Sequence, residues 1–461
     1  MKLRVREVEL RRRFAPYRMP FHVAGISITG GMQVYAHVRT EDEAGRSAWG
    51  VAAETPAPIW FDKSRDLALV EADINESLYR TAGLYLDERV PRSAFDLFAL
   101  AYPAQLAWSR QRKIPETIGS FGPALLDRAV LDAACRLAGL SFNAAMLANL
   151  PGMDARLCPD LEDFDLGRFL RSRTPRTSLN LRHTIGGVDP LEAGDQKERI
   201  GDGLPETLRE VIAAYGNRSF KIKIGPDRGA TLDRLAAIAE VLDDMLPDYA
   251  VTLDGNEAFA DMGTLAELLR SGAADPRLAR FWPRVLYVEQ PIHRDVWRSL
   301  PAGETRGLVP LIIDESDGSL DDFTHALALG YGGGSVKSCK GLYKALLNAA
   351  RCEGRGGAAF LSAEDLNNQN GVSLQQDMAV AGVLGLDRVE KNGHHYMNGM
   401  AGAPEAEQRA LAEAHPDLYT RDGGVTRLRI SGGVATIASL DAPGFAHSTE
   451  PDWSATETLP R

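Results

Sequence analysis

A chain of 461 residues, 44% hydrophobic and 25% charged, exceeds one ordinary domain and has the composition of a soluble globular protein. Its 52 basic and 63 acidic residues leave a formal charge of −11, which argues against nucleic acid or an anionic membrane surface as a partner. Cys135, Cys158, Cys339 and Cys352 lie scattered without CxxC spacing, the pattern of reduced thiols in a cytoplasmic protein without structural zinc.

Residues 1–6 alternate apolar and charged side chains with strand period, unlike a signal peptide, and no later run approaches membrane-spanning length. Alternation resumes at residues 33–39. Residues 14–25 lie between, rich in aromatics and turn formers, and residues 54–61 form a second loop carrying Trp60. Residues 64–150 read as helices, most clearly at 124–135, where apolar residues recur every three or four positions and Gly139 supplies a stop. From residue 177 strands and helices alternate. Residues 178–185 open the series, a helix follows around 205–215, and residues 358–362 and 387–390 look like the last two strands. Residues 401–420 read as a polar helix, 426–430 with 434–437 as a hairpin, and the tail from Ala442 as irregular.

Within the alternating region, five short apolar runs stop at charged residues: 219–225, 251–256, 286–291, 311–316 and 334–337. In a parallel α/β barrel such strand ends converge on one face, where catalytic groups sit. Lys221 and Lys223 are two apart and share a face. Two ammonium groups held close lower each other's pKa toward the range useful to a general base, although a solvated edge strand would carry the same pattern. Asp254, Glu289 and Asp314 end three successive strands and supply the hard oxygen ligands that Mg²⁺ prefers. Three unpaired carboxylates at one mouth would otherwise repel, so their convergence calls for a cation. Caps and surface ion pairs are the alternative for any single one. Asn256 follows Asp254 on the same face and can orient a ligand carboxylate. Glu315 is expected to point the other way, toward lysines behind the site. Lys337 ends the next strand, across the barrel. Lys340, three residues on, covers a helix start or pairs with an acid.

This ordered set resembles the enolase superfamily, and within it the muconate-lactonizing-enzyme type of the mandelate racemase/muconate lactonizing enzyme group. The motifs that carry it are Lys221-Ile222-Lys223, Asp254-Gly255-Asn256, Val288-Glu289-Gln290-Pro291, Asp314-Glu315-Ser316 and Val336-Lys337. Residues 123–140 are also similar to the family's helix leading into the barrel, and Pro443-Gly444-Phe445 to its returning C-terminal segment. The resemblance implies an α/β fold, a modified TIM barrel of (β/α)7β type with an α+β capping domain formed from both chain ends. Residues 1–145 would form the cap, 146–400 the barrel, and 401–461 a segment returning to the cap. It further implies Mg²⁺, with Mn²⁺ as a substitute, and abstraction of the proton α to the carboxylate of a small substrate. Asp254, Glu289 and Asp314 would bind metal, Lys223 would be the base with Lys221 beside it, and Lys337 would act from the opposite face. Lysines on two faces suit racemisation, epimerisation, cycloisomerisation or syn elimination. An acid-sugar dehydratase, a silent barrel kept as a binding protein, and a Schiff-base barrel are the rivals.

The chain departs from mandelate-racemase-like members at the seventh strand, where residues 361–365 hold no histidine but end in Glu364 and Asp365. Residues 367–371 bind a polar substrate group or form a turn, so Glu364 and Asn367 join Trp60 and His183 as candidate substrate contacts. Trp60 and residues 14–23 lie where loops close over substrate, unless they pack within the cap. His183 faces the pocket or packs in the barrel. Adjacent His394 and His395 point in different directions, so at most one lines the pocket; otherwise they read as a surface loop. Extra residues around 187–203 and 271–284 point to an atypical substrate. Large barrel enzymes often self-associate, and a homo-oligomer is compatible with the sequence.

Overall fold

Alternating apolar residues at the N-terminus build three long antiparallel strands, β1 (Leu3–Val23), β2 (Ile26–Asp42) and β3 (Ser47–Glu54). The computed structural model describes residues 1–23 and 26–461, with side chains at 22–26 outside the description. The end of the expected 14–25 loop falls there. The described part of that loop is strand, with its register shifted between Pro16 and Phe21. Leu3, Val5 and Leu10 of β1 and Val34, Ala36 and Val38 of β2 share one buried face. The helices Leu67–Asp87 and Glu116–Ala138 cover it. The second ends in Gly139 at φ 64° as the sequence predicts. It lies so close to β3 that a Cβ on Gly50 would stand 2.2 Å from the Ala129 carbonyl, so only glycine fits.

Eight parallel strands form the barrel: β4 (Ser178–Ile185), β5 (Ser219–Lys223), β6 (Ala250–Asp254), β7 (Val285–Glu289), β8 (Leu311–Ile313), β9 (Gly333–Val336), β10 (Phe360–Ala363) and β11 (Val389–Glu390). They are hydrogen-bonded in the order β10-β9-β8-β7-β6-β5-β4-β11. Side chains bridge the seam between β10 and β11. Asp365 N donates to Glu390 Oε2 at 3.2 Å, and Asn392 N donates to Asp365 Oδ2 at 3.1 Å. Helices follow every strand from β4 to β10 except β7, after which two short 3₁₀ turns, Trp297–Ser299 and Ala302–Thr305, stand instead. The fold is a modified (β/α)7β barrel under an antiparallel cap.

The register decides what meets at the barrel mouth. Lys223 of β5 pairs with Asp254 of β6, which pairs with Glu289 of β7. Three charged strand ends therefore stand in one row.

The C-terminal part corrects one expectation. Residues 426–430 and 434–437 are not a hairpin. Instead β12 (Tyr419–Asp422) pairs with β13 (Val425–Leu428), and β14 (Val434–Thr436) runs antiparallel to β4. Gly423 and Gly424 both take positive φ, 57° and 82°, the two-glycine turn that a tight hairpin favours. Beyond it, Phe445 stacks on Phe142 at 3.9 Å, and Thr458 and Glu457 pair with Arg11 and Arg12 on the edge of β1. Among the described residues no helix is long and apolar enough to cross a membrane.

Candidate active site

Period two along β4 and β5 sends Arg182, Thr184, Lys221 and Lys223 into the barrel, and His183 and Ile222 outward. The interior fills in layers. Lowest is Arg182, 2% exposed, which donates to the Tyr287 hydroxyl at 2.6 Å and forms a close ion pair with Glu364. Above it the Lys221 ammonium lies 3.0 Å from Asp254, 2.8 Å from Glu289, 2.8 Å from Glu364 and 3.1 Å from Glu390. Lys223, nearest the opening, donates to Asp254 Oδ2 at 2.6 Å. Across the barrel Lys337 is closely paired with Asp314, and Lys340 sits 3.3 Å from both Asp314 and Asp317. The Trp60 indole reaches down from the cap, donating to Asp314 Oδ2 at 3.2 Å, with Lys337 4.7 Å from its ring centroid.

Gln290 and Asn256 fix the strand ends. Gln290 Oε1 accepts from the backbone N–H of Asp314 at 2.7 Å and of Ser316 at 3.1 Å. Gln290 and Asn256 sit at positive φ, 32° and 40°, strained conformations of order 1 kcal/mol or more each. Asn256 also donates its backbone N–H to Asp254 Oδ1 at 2.8 Å.

The electrostatics correct the expected depression at Lys221. Burial alone would lower the Lys221 pKa, but Asp254, Glu289, Glu364 and Glu390 outweigh it and hold it well above the ordinary value. Burial would likewise raise Asp314, yet Lys337, Lys340 and Lys221 hold it far down. Glu289 is the exception. Burial, then Asp254 and Glu364, raise its pKa well above the carboxylate range, and neither oxygen makes a hydrogen bond among the described residues, although Lys221 is near. Asp254, Glu289 and Asp314 are the hard-oxygen set that could hold a divalent cation. As the side chains stand, no group of three His, Cys, Asp or Glu among the described residues is arranged around such an ion. The Lys221 ammonium instead lies between Asp254 and Glu289.

A cavity of about 600 Å³ opens above these groups, ample for a small ligand. Lys221, Lys223, Asp254 and Lys337 line its floor, and Tyr17, Phe21, Ile28, Ile59 and Trp60 its apolar side. Asn367 lines it as the sequence suggests. Glu315 also faces it, accepting from Asn256 Nδ2 at 3.3 Å rather than pointing to rear lysines. Burial and the neighbouring Asp314 push its pKa up to about 7. Glu364 does not line the cavity, because Arg182 and Lys221 hold it below the floor.

His183 does not line the cavity either, being on the outward face of β4. Its ring packs against His395 at 5.0 Å, while His394 packs against Tyr215. Both histidines of the expected surface loop are thus buried, in a short helix, Gly393–Tyr396. Burial lowers His183 to about 4 and His394 to about 3; His183, Lys391 and Arg18 add repulsion around the pair at 394–395. In the unfolded chain these imidazoles titrate near 6.5. Below that value the unfolded state binds more protons, so stability falls as pH drops toward 4. At pH 4 His183 alone accounts for about 3 kcal/mol. Urea midpoints measured from pH 7.5 to 4.5 should fall below pH 6.5, and His394→Leu should flatten that fall.

A latch missed from the sequence ties cap to barrel. Arg294 donates to the Phe61 carbonyl at 2.7 Å and the Trp60 carbonyl at 2.8 Å while paired with Glu257 at 2.8 Å. It holds the Pro58–Phe61 turn that presents Trp60. Charge-assisted bonds of this kind contribute about 1.5–3 kcal/mol each. Arg294→Met should therefore speed tryptic cleavage at Lys63 and Arg65 by at least about tenfold through local opening.

The family model described as "Enolase C-terminal domain-like" matches residues 203–442. A curated relative, the hydrophobic dipeptide epimerase of Citrifermentans bemidjiense, is 29% identical over 209 residues, 45% of this chain and 45% of that protein. The match thus spans less than half of that relative's length. Muconate lactonizing enzyme from Pseudomonas fluorescens, solved with muconolactone, superposes with a TM-score of 0.61 at 17% identity over 97% of both chains. An enolase from Bradyrhizobium, solved with magnesium and mandelic acid, gives 0.60 at 18% identity over 99% of this chain and 98% of that one. These structures share the fold.

Proposed function

Because the chain belongs to the enolase superfamily, and within it to the mandelate racemase/muconate lactonizing enzyme group, we propose that it abstracts the proton α to a substrate carboxylate with Mg²⁺ bound, yielding racemisation, epimerisation or cycloisomerisation. One observation carries the reading: Lys223 and Lys337 approach one cavity from opposite sides of the barrel, above buried carboxylates. Asp254, Glu289 and Asp314 would hold the cation. The support is the convergence of these three carboxylates at one barrel mouth, where burial, Asp254 and Glu364 raise Glu289 although the Lys221 ammonium lies 2.8 Å away. When bound, Mg²⁺ would supply charge for the substrate carboxylate oxygens.

The chain's own residues divide the remaining work. Lys221, enclosed by four carboxylates, is a fixed positive charge. Lys223, as the free amine, takes the α-proton and becomes ammonium, and the C–H electron pair passes into the carboxylate to give an enediolate. Lys337, held charged beside Asp314 and over Trp60, returns a proton from the other face. Asn256 orients Asp254, and Lys340 braces Asp314 from behind.

An acid-sugar dehydratase would share the first step. The apolar side formed by Tyr17, Phe21, Ile28, Ile59 and Trp60 speaks against it, since hydroxyls buried there would lack partners. Incubation with Mg²⁺ and pooled carboxylates, read by product mass and chirality, tests the choice. Unchanged mass with inverted or rearranged product is expected, and loss of water would assign the dehydratase. Calorimetry should show Mg²⁺ binding that Glu289→Gln weakens by about 10- to 100-fold; equal binding would remove Glu289 from the set.

A further inference from the structure

A second cavity, of about 280 Å³, lies between the cap sheet and the helix Leu67–Asp87. It meets the active-site cavity along Tyr17, Ile28, Ala57, Ile59 and Leu366, which line both. Its far walls are apolar: Met32, Val34, Leu67 and Ile74. Two polar side chains also line it, and both are more than nine-tenths buried, Thr55 at 2% and Asn75 at 4% exposure. The Thr55 hydroxyl has no hydrogen-bond partner among the described residues, and Asn75 lines the same chamber. Leaving such a hydroxyl unpaired in an apolar chamber is costly, and native interiors rarely do so. Glu71, the one carboxylate among the described lining residues, has a side chain 42% exposed to solvent and lies 3.5 Å from Arg12. The chamber therefore offers apolar walls, a hydroxyl and an amide, with its one described carboxylate open to solvent.

We propose that this chamber takes a substituent of the substrate: an apolar arm, remote from the reacting carboxylate, ending in a neutral hydrogen-bonding group such as an amide or hydroxyl. The proposal rests on the carboxylate reading above and names the substrate class for that site. The arm crosses the shared boundary beside Ala57, the smallest of its five side chains. Thr55 donates to the tip and Asn75 can both donate and accept, so an amide matches them better than a carboxylate or an ammonium. Ordered water satisfying Thr55 and Asn75 is the competing occupant.

Two measurements test it separately from the chemistry. The first is a thermal shift with N-hexylacetamide, a neutral amide-tipped probe with no carboxylate. Wild type should be stabilised; Met32→Trp, which fills the chamber, should not. Leu67→Trp repeats the test from another wall should the first variant fold poorly. The second is α-proton exchange with paired carboxylates that differ only in a short acetyl or a long amide-tipped arm. The long arm should raise kcat/KM at least tenfold in wild type. That ratio should fall to near unity in Met32→Trp, and Asn75→Leu should lose the preference for an amide tip over a methyl tip. A long-to-short ratio near unity in wild type, or one unchanged by Met32→Trp, overturns the proposal. Probe binding lost in Met32→Trp without exchange of any carboxylate would keep the chamber and sink the proton-abstraction reading. Absence of both would overturn both.

Discussion

A Lys223→Ala variant loses solvent exchange of the substrate α-proton by about 10²–10⁴-fold, the usual contribution of a positioned base. Divalent-cation affinity should be undiminished, because an ammonium leaves the neighbourhood of Asp254. The reason lies in the different surroundings of the two strand-end lysines. Lys221 is 3% exposed and contacts four carboxylates, whereas Lys223 is 22% exposed and, among the described residues, pairs with Asp254. A group enclosed by four anions resists losing its proton, whereas Lys223 stands at the cavity floor within reach of a substrate. Lys337→Ala should act differently, removing the proton returned from the other face and so suppressing inversion more than wash-in. If Lys223→Ala keeps its exchange rate, Lys221 or Lys337 is the base.

The largest expected loss of stability comes from Arg182→Leu. The Arg182–Glu364 pair is buried at 2% and 0% side-chain exposure, and Arg182 also bonds Tyr287 and Ser362. Removing one partner of a buried pair leaves an uncompensated charge and costs about 3–5 kcal/mol. Replacing both ions with apolar residues is often close to neutral elsewhere. Here Arg182→Leu/Glu364→Leu should recover only part of the loss, since Lys221 would forfeit one of its four carboxylates. Urea midpoints of the two variants check this. A midpoint for Arg182→Leu within about 1 kcal/mol of wild type would mean that Glu364 is protonated or hydrated instead.

Much of the barrel mouth was legible in the sequence because each charged group ends an apolar run. Chain order then reproduces spatial order, so Lys223, Asp254 and Glu289 fall in one register row. Glu390 ends the eighth strand in the same way but went unassigned, its run being only Val389–Glu390 in length. What failed was whatever depends on contacts across the chain. His394 and His395 read as a surface loop because adjacent histidines are polar, yet the residues around His183 and Tyr215 bury them. His183 and Glu364 were candidate substrate contacts; the outward face of β4 and the grip of Arg182 remove both from the cavity. The tail hairpin lies earlier than its apolar runs suggest because the Gly423-Gly424 turn, with both φ positive, sets where the chain reverses. Arg294 carries no motif at all: its partners, Trp60 and Glu257, are distant in sequence, and only the fold brings them together.

The measurement that bears most directly on the central claim is deuterium wash-in at the α-carbon of pooled carboxylates in D₂O with Mg²⁺, read by mass spectrometry. Wash-in that depends on Mg²⁺ and disappears in Lys223→Ala is the predicted result. Carboxylates that keep their α-hydrogen while the protein binds Mg²⁺, or wash-in that survives in Lys223→Ala and Lys337→Ala alike, would contradict it.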